Sequence, residues 1–225
     1  MPEIGPGVPE SEGDLLERAG ALAGLTLAEV ALRFGVTVPL ELLHAKGWVG
    51  QLMERALGAT AGSRAAPDFE ALGVELKTLP VGSGGKPSES TFVCTIDLSR
   101  IGDIEWERSL VRRKLARVLW VPVEGERGIP VAARRIGTPL LWSPSAEQER
   151  ALRFDWEELA GIIGCGDVES ITGHFGRYLQ VRPKAANSLE RRRGVDAEGA
   201  GISTLPRGFY LRATFTAQVL LKHFG

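Results

Sequence analysis

Apolar residues recur at helical spacing in the first quarter of the chain and shift to strand-like spacing after it. Asp14 to about Ala23 reads as a first helix. Thr26-Leu-Ala-Glu29 has the form of a capping box and opens a second helix, ending near Gly35. Lys46 to Leu57 reads as a third, with Val49, Leu52, Met53, Ala56 and Leu57 on its apolar side and Gly58 as its stop. Val74, Leu76 and Leu79 then suit a strand. Glu89 to Asp97 alternates as another, and Val118 to Val123 is apolar enough for a buried one. Ser143 or Ser145 caps a long helix, with Pro144 at an early helical position and a stripe of Leu152, Trp156, Leu159 and Ile163. Tyr178 to Val181 predicts a strand ending at Arg182-Pro183. Phe209 to Arg212 predicts a short strand, and Thr216 to Phe224 a final helix. The mixture implies an α/β fold with a central mixed sheet flanked by helices.

One segment carries candidate chemistry. In Asp68-Phe-Glu-Ala-Leu-Gly-Val-Glu75-Leu-Lys77, Glu75 and Lys77 are two apart and share one face of a strand. Leu72-Gly73 offers a tight reversal, which would set Asp68 opposite Lys77 and diagonal to Glu75. Two carboxylates beside a lysine suit Mg²⁺ bound together with water and a phosphate, the requirement for metal-assisted phosphodiester hydrolysis. Glu70 shares the parity of Asp68, so spacing alone leaves open which of the two is the ligand. Alternating charge on a strand also describes an ordinary solvated face.

Composition narrows the class. The chain has 225 residues and 44% hydrophobic content, enough for a folded protein with a sizeable core. No apolar run approaches a membrane span, the N-terminus lacks signal-peptide character, and two cysteines suggest no disulfide framework, so a cytoplasmic setting is expected. Net charge is −1, yet Arg108, Arg112, Arg113, Lys114 and Arg117 cluster, as do Arg182, Lys184, Arg191, Arg192 and Arg193. A basic surface on an otherwise acidic body is compatible with nucleic-acid binding, and equally with solvated helix faces. His44, His174 and His223 show no metal-ligand spacing, and Gly82-Ser-Gly-Gly85 lacks the phosphate-loop pattern.

Longer blocks carry a family resemblance. They are Lys46-Gly-Trp-Val-Gly-Gln-Leu-Met-Glu54 through Ser63, the Asp68–Lys77 segment with Thr78-Leu-Pro-Val, Thr91-Phe-Val-Cys94, Val118 to Arg127, Pro139 to Pro144, Val181-Arg-Pro-Lys-Ala-Ala-Asn187 and Leu205-Pro-Arg-Gly-Phe-Tyr-Leu211. Together they resemble the MutH family of strand-discriminating endonucleases of methyl-directed DNA mismatch repair, over nearly the whole chain. The resemblance implies a restriction-endonuclease-like fold in which two lobes form a DNA-binding cleft. Residues 1–12, rich in Pro, Gly and Glu, are expected to fray, leaving 13–225 as a single endonuclease domain.

The resemblance also implies roles. Asp68, Glu75 and Lys77 form the catalytic set, with Glu70 passed over. Glu54 is a fourth member reaching the metal site from the third helix, and Lys114 a further lysine near the scissile phosphate. Asp68, Glu75 and Glu54 would ligate Mg²⁺. Arg182, Pro183 and Lys184 inherit the reading of GATC, where an arginine donates two hydrogen bonds to guanine O6 and N7. Tyr210 matches the tyrosine that senses adenine methylation. Lys46 and Phe92 are candidate DNA contacts. The implied partners are double-stranded hemimethylated DNA, the activating ATPase MutL and, indirectly, MutS, and a monomer suits the cutting of one strand. Two rivals share the same residues: a GATC-cutting restriction endonuclease of the same fold, and a DNA-binding protein that does no chemistry.

Overall fold

The computed structural model describes residues 6–41, 47–184, 192–195 and 201–225, and it divides into two compact units. The first comprises residues 1–89, 116–143 and 220–225; the second comprises 90–115 and 144–219. The α/β class expected from the pattern holds. The β structure, however, is a mixed three-stranded sheet in the first unit, and a second three-stranded sheet and a hairpin in the other.

In the first unit, α1 (Glu12–Ala21) starts where the Ser11 hydroxyl accepts the Asp14 N–H, and α2 (Leu27–Arg33) starts at the expected capping box of Thr26 and Glu29. α3 (Trp48–Leu57) ends at Gly58, whose φ of 78° is left-handed. A Cβ there would meet the Gly7 carbonyl oxygen at 2.5 Å, so both conformation and space require glycine. β1 (Glu75–Val81) runs parallel to β3 (Val118–Glu124), and β4 (Leu140–Trp142) runs antiparallel to β3 on its other edge. β3 is central and buried along almost its whole length, which explains its unbroken apolar run. Helices α1 to α3 bury Leu15, Val30, Leu52, Met53 and Leu57 in one core with Phe69, Val74, Leu119 and Val121. That core fixes α3 against β1.

In the second unit, β2 (Thr91–Thr95) and β5 (Leu179–Pro183) flank β8 (Arg207–Leu211) in an antiparallel sheet of order β2-β8-β5. α4 (Leu110–Leu115) packs on β2. α5 (Ala146–Gly164) buries Leu152, Trp156, Leu159 and Ile163, the stripe expected of it. Its cap is Ser145 with Gln148, so Pro144 lies before the helix and not in its first turn. β5 extends through Arg182 and Pro183, which the sequence reading had placed at its end, because both pair with β8. β6 (Arg192–Val195) and β7 (Gly201–Thr204) form a hairpin where the sequence suggested only an arginine-rich loop. α6 (Ala213–Phe224) begins three residues earlier than expected.

Asp155 ties α5 to β5. Its carboxylate is buried and accepts the N–H groups of Arg177, Tyr178 and Leu179 at 2.8, 2.6 and 2.8 Å. Beside it, Gly176 has φ 73°, and a Cβ there would lie 1.9 Å from the Leu179 carbonyl oxygen. The entry to β5 is therefore determined by one carboxylate and one glycine.

Candidate active site and nucleic-acid interface

The chain reverses over residues 70–73, a connection that contains the expected Leu72-Gly73. Leu72 and Gly73 donate back to the Phe69 and Glu70 carbonyls, and Gly73 takes φ 65°. The register differs from the expected one. Phe69 bridges Val74, so continuing the antiparallel pairing sets Asp68 opposite Glu75, not opposite Lys77. The reversal is a four-residue connection, 70–73, centred one residue earlier than a two-residue turn at Leu72-Gly73 would be, and this shifts the register toward Glu75.

Each group of the set has a defined hold. The Asp68 carboxylate accepts the Leu76 N–H at 2.8 Å, and its carbonyl accepts Thr60 and Ala61 N–H groups. Glu75 is only 1% exposed, its Oε1 lies 2.6 Å from Lys77 Nζ, and its N–H donates to the Arg117 carbonyl. A carboxylate buried this deeply needs a cation or a metal beside it, and Lys77 supplies one. Glu70 is exposed and ion-paired with Arg64, which fits its ranking as a surface charge.

Glu54 is half-buried on α3, the helix packed against β1, and its Oε1 leans back along the helix toward Gly50. Among the described residues, no three His, Cys, Asp or Glu side chains form a group spaced for one metal ion, so Glu54 does not join Asp68 and Glu75 in such a group. Mg²⁺ does not need a protein-only cage. It takes one or two carboxylates and fills its octahedron with water and phosphate oxygens, and the paired Asp68 and Glu75 fit that donor set.

The basic run after residue 107 is less available than its sequence suggests. Arg112 pairs with Glu149 at 3.1 Å, and Arg117 forks onto Glu12 at 2.9 and 2.5 Å. That fork holds the Glu12 carboxyl below its ordinary value and ties the start of α1 to the residue whose carbonyl receives Glu75. Arg117 thus serves the framework of the first unit. Lys114 lies half-buried on α4, in the second unit.

The second unit gathers Phe92, Arg182, Pro183, Lys184 and Tyr210 on and beside its sheet; Lys46 lies outside the described residues. Phe92 and Gln180 pair with Tyr210 from either side, and Arg182 pairs with Gly208. The Phe92 and Tyr210 rings meet edge to face at 5.3 Å. A Cβ on Gly208 would lie 2.9 Å from the Phe92 ring and 3.3 Å from the Tyr210 ring, so the missing side chain lets both rings settle on the strand.

Two cations extend over this face. The Arg182 guanidinium lies 5.9 Å from the Tyr210 ring centroid and donates to Ser90 Oγ at 2.5 Å. Lys184 Nζ sits 3.6 Å from the Phe92 centroid and 3.5 Å from Thr95 Oγ1. Burial pushes the Tyr210 phenol above its ordinary value, against the pull of Arg182, so it is neutral in ordinary buffers. Sequence reasoning missed Ser90, Thr95, Gln180 and Gly208. Thr95 reaches the face through a β-bulge between Phe92 and Cys94, which breaks the two-residue alternation.

Comparison with known proteins identifies the family. Residues 57–155 match the family model described as DNA mismatch repair enzyme MutH. Proteins named DNA mismatch repair protein MutH are similar over essentially the whole chain. One from Klebsiella pneumoniae is 54% identical, covering 100% of this chain and 98% of the relative. One from Escherichia coli is 55% identical, covering 96% and 94%. One from Vibrio parahaemolyticus is 54% identical, covering 96% of each. With more than half its residues shared end to end, and with the Asp68-Glu75-Lys77 turn built as described, this chain belongs to the MutH family of DNA mismatch repair enzymes.

Proposed function

We propose that the protein is a Mg²⁺-dependent endonuclease that nicks the unmethylated strand of hemimethylated DNA at GATC, 5′ to the guanine, under activation by MutL after MutS has found a mismatch. The observation that carries this reading is the buried Glu75–Lys77 pair with Asp68 opposite it, in a chain of the MutH family.

Asp68 and Glu75 would hold the ion, and Lys114 would act on the phosphate. The chemistry that Mg²⁺ held there would supply is polarisation of a phosphate and a more acidic water. Lys77 is oriented by Glu75 and offers a compact positive charge to the attacking water and to the negative charge that builds on the phosphoryl oxygens. The Leu76 N–H aims the Asp68 carboxylate, so the pair needs little rearrangement before reaction. Arg182 on β5 and Lys184 just beyond its end read the site, and Lys46 and Phe92 contact the duplex. Tyr210, packed on Phe92, excludes an N6-methyl group by contact. A monomer acting in the cytoplasm suits the cutting of one strand. No described helix is long and apolar enough to cross a membrane.

Strand-resolved cleavage of a hemimethylated GATC duplex with Mg²⁺, with and without MutL and ATP, tests the proposal. Nicking confined to the unmethylated strand and stimulated by MutL is expected. Cutting of both strands regardless of MutL would make it a restriction enzyme, and tight binding without nicking would remove the catalytic assignment. In the same assay, Tyr210→Ala is expected to reduce the preference for the unmethylated strand by about tenfold, the effect of losing one steric contact with a methyl group. An unchanged preference would return Tyr210 to a packing role.

A further inference from the structure

We propose that Ser90 is a positioning residue for sequence discrimination, acting through Arg182; the proposal rests on the assignment of Arg182 to guanine recognition made above. The strand order β2-β8-β5 separates Arg182, on one outer strand, from Ser90, which immediately precedes the other. The Arg182 side chain nevertheless ends on Ser90 Oγ at 2.5 Å, so the bond links segments from the two outer strands. The register partner of Arg182 on the middle strand is Gly208, which presents no side chain, and the guanidinium passes the Tyr210 ring at 5.9 Å.

An arginine is exposed at this position and would otherwise sample many rotamers, each ordering step costing entropy on binding. The Ser90 hydroxyl selects the rotamers that bring the guanidinium to it beside the Tyr210 ring. Guanidinium carries five N–H donors in a rigid fork, and the bond to Ser90 uses one. Two donors on one edge suffice for guanine O6 and N7, so being held by Ser90 and reading a base are compatible. Ser90 touches neither base nor reacting atoms in this scheme. It narrows the orientation of the group that does.

The test compares nicking rates on hemimethylated GATC and on the same duplex with its guanine replaced by adenine. The proteins are the unmodified enzyme, Ser90→Ala, Ser90→Thr and Arg182→Ala. Ser90→Ala is expected to lower the discrimination ratio by about tenfold, part of what a bidentate arginine–guanine contact confers, with little change in melting temperature. Ser90→Thr, which keeps the hydroxyl, is expected to restore the ratio. If Arg182→Ala loses discrimination while Ser90→Ala keeps it, the Ser90 proposal alone is overturned. If Arg182→Ala keeps it too, guanine reading by Arg182 falls, and the Ser90 role with it. A drop for Ser90→Ala that Ser90→Thr does not repair also overturns the positioning role.

Discussion

Replacing Glu75 with alanine is expected to reduce nicking by on the order of a thousandfold while DNA affinity stays within about threefold. On the proposed mechanism two losses coincide at this residue: an oxygen donor for the ion, and the acceptor that orients Lys77 at 2.6 Å. DNA affinity is spared because the residues proposed to read DNA belong to the other unit. The variant must first be shown to fold, since breaking a buried ion pair costs about 3–5 kcal/mol. The lower end applies because the Lys77 side chain keeps 13% exposure. A Glu75→Ala, Lys77→Met double variant separates the two effects. It should recover much of the lost stability, because no uncompensated ammonium remains, and recover none of the activity. Retention of a tenth or more of the nicking rate in folded Glu75→Ala would remove Glu75 from the site.

The largest stability effect is expected at a residue with no catalytic part. Asp155→Ala deletes a buried acceptor and leaves three neighbouring backbone N–H groups, Arg177, Tyr178 and Leu179, without it. Hydrogen bonds to a charged group contribute about 1.5–3 kcal/mol each and are not additive, so a net loss of about 4 kcal/mol is reasonable. For a chain of this size that corresponds to a fall in Tm of roughly 10 °C. Asp155→Asn should recover only part of it, because the amide presents an NH₂ group to donors. Thermal unfolding followed by circular dichroism reads both. A shift under about 2 °C for alanine would mean that the entry to β5 is held by something else.

The difference between these two residues shows how unevenly the molecule can be read from its sequence. Local chemistry was legible. Thr26 and Glu29 announce a helix start, Gly58 a helix stop, and Leu72-Gly73 a reversal, because each acts on neighbours within a few residues. The Asp68, Glu75 and Lys77 candidates came from one ten-residue segment for the same reason. What escaped was non-local or one residue out of step. The Asp68 partner differs from the expected one because the turn spans residues 70–73 and is centred one residue earlier than Leu72-Gly73. Thr95 was hidden by a bulge that alternation cannot anticipate. Arg117 looked like part of a DNA-binding run because its partner, Glu12, is 105 residues away. Asp155 sat among the charges of an amphipathic helix, with no sign that β5 would bring three N–H groups to it. Gly208 is a small residue whose place beside two rings depends on which strands pair with β8 on either side.

Neither compact unit is a continuous stretch of polypeptide. The chain passes from one to the other at 89–90, 115–116, 143–144 and 219–220. No simple truncation can therefore release the half bearing Glu75 from the half bearing Arg182. A fragment ending after residue 143 would contain most of the first unit but lack its C-terminal residues 220–225, and would carry residues 90–115 without the rest of their sheet. Grafting a new recognition surface onto this nuclease would thus require replacing two separated insertions at once, 90–115 and 144–219, with four junctions to rejoin. Point substitution on the sheet face is the more tractable route to altered sequence preference.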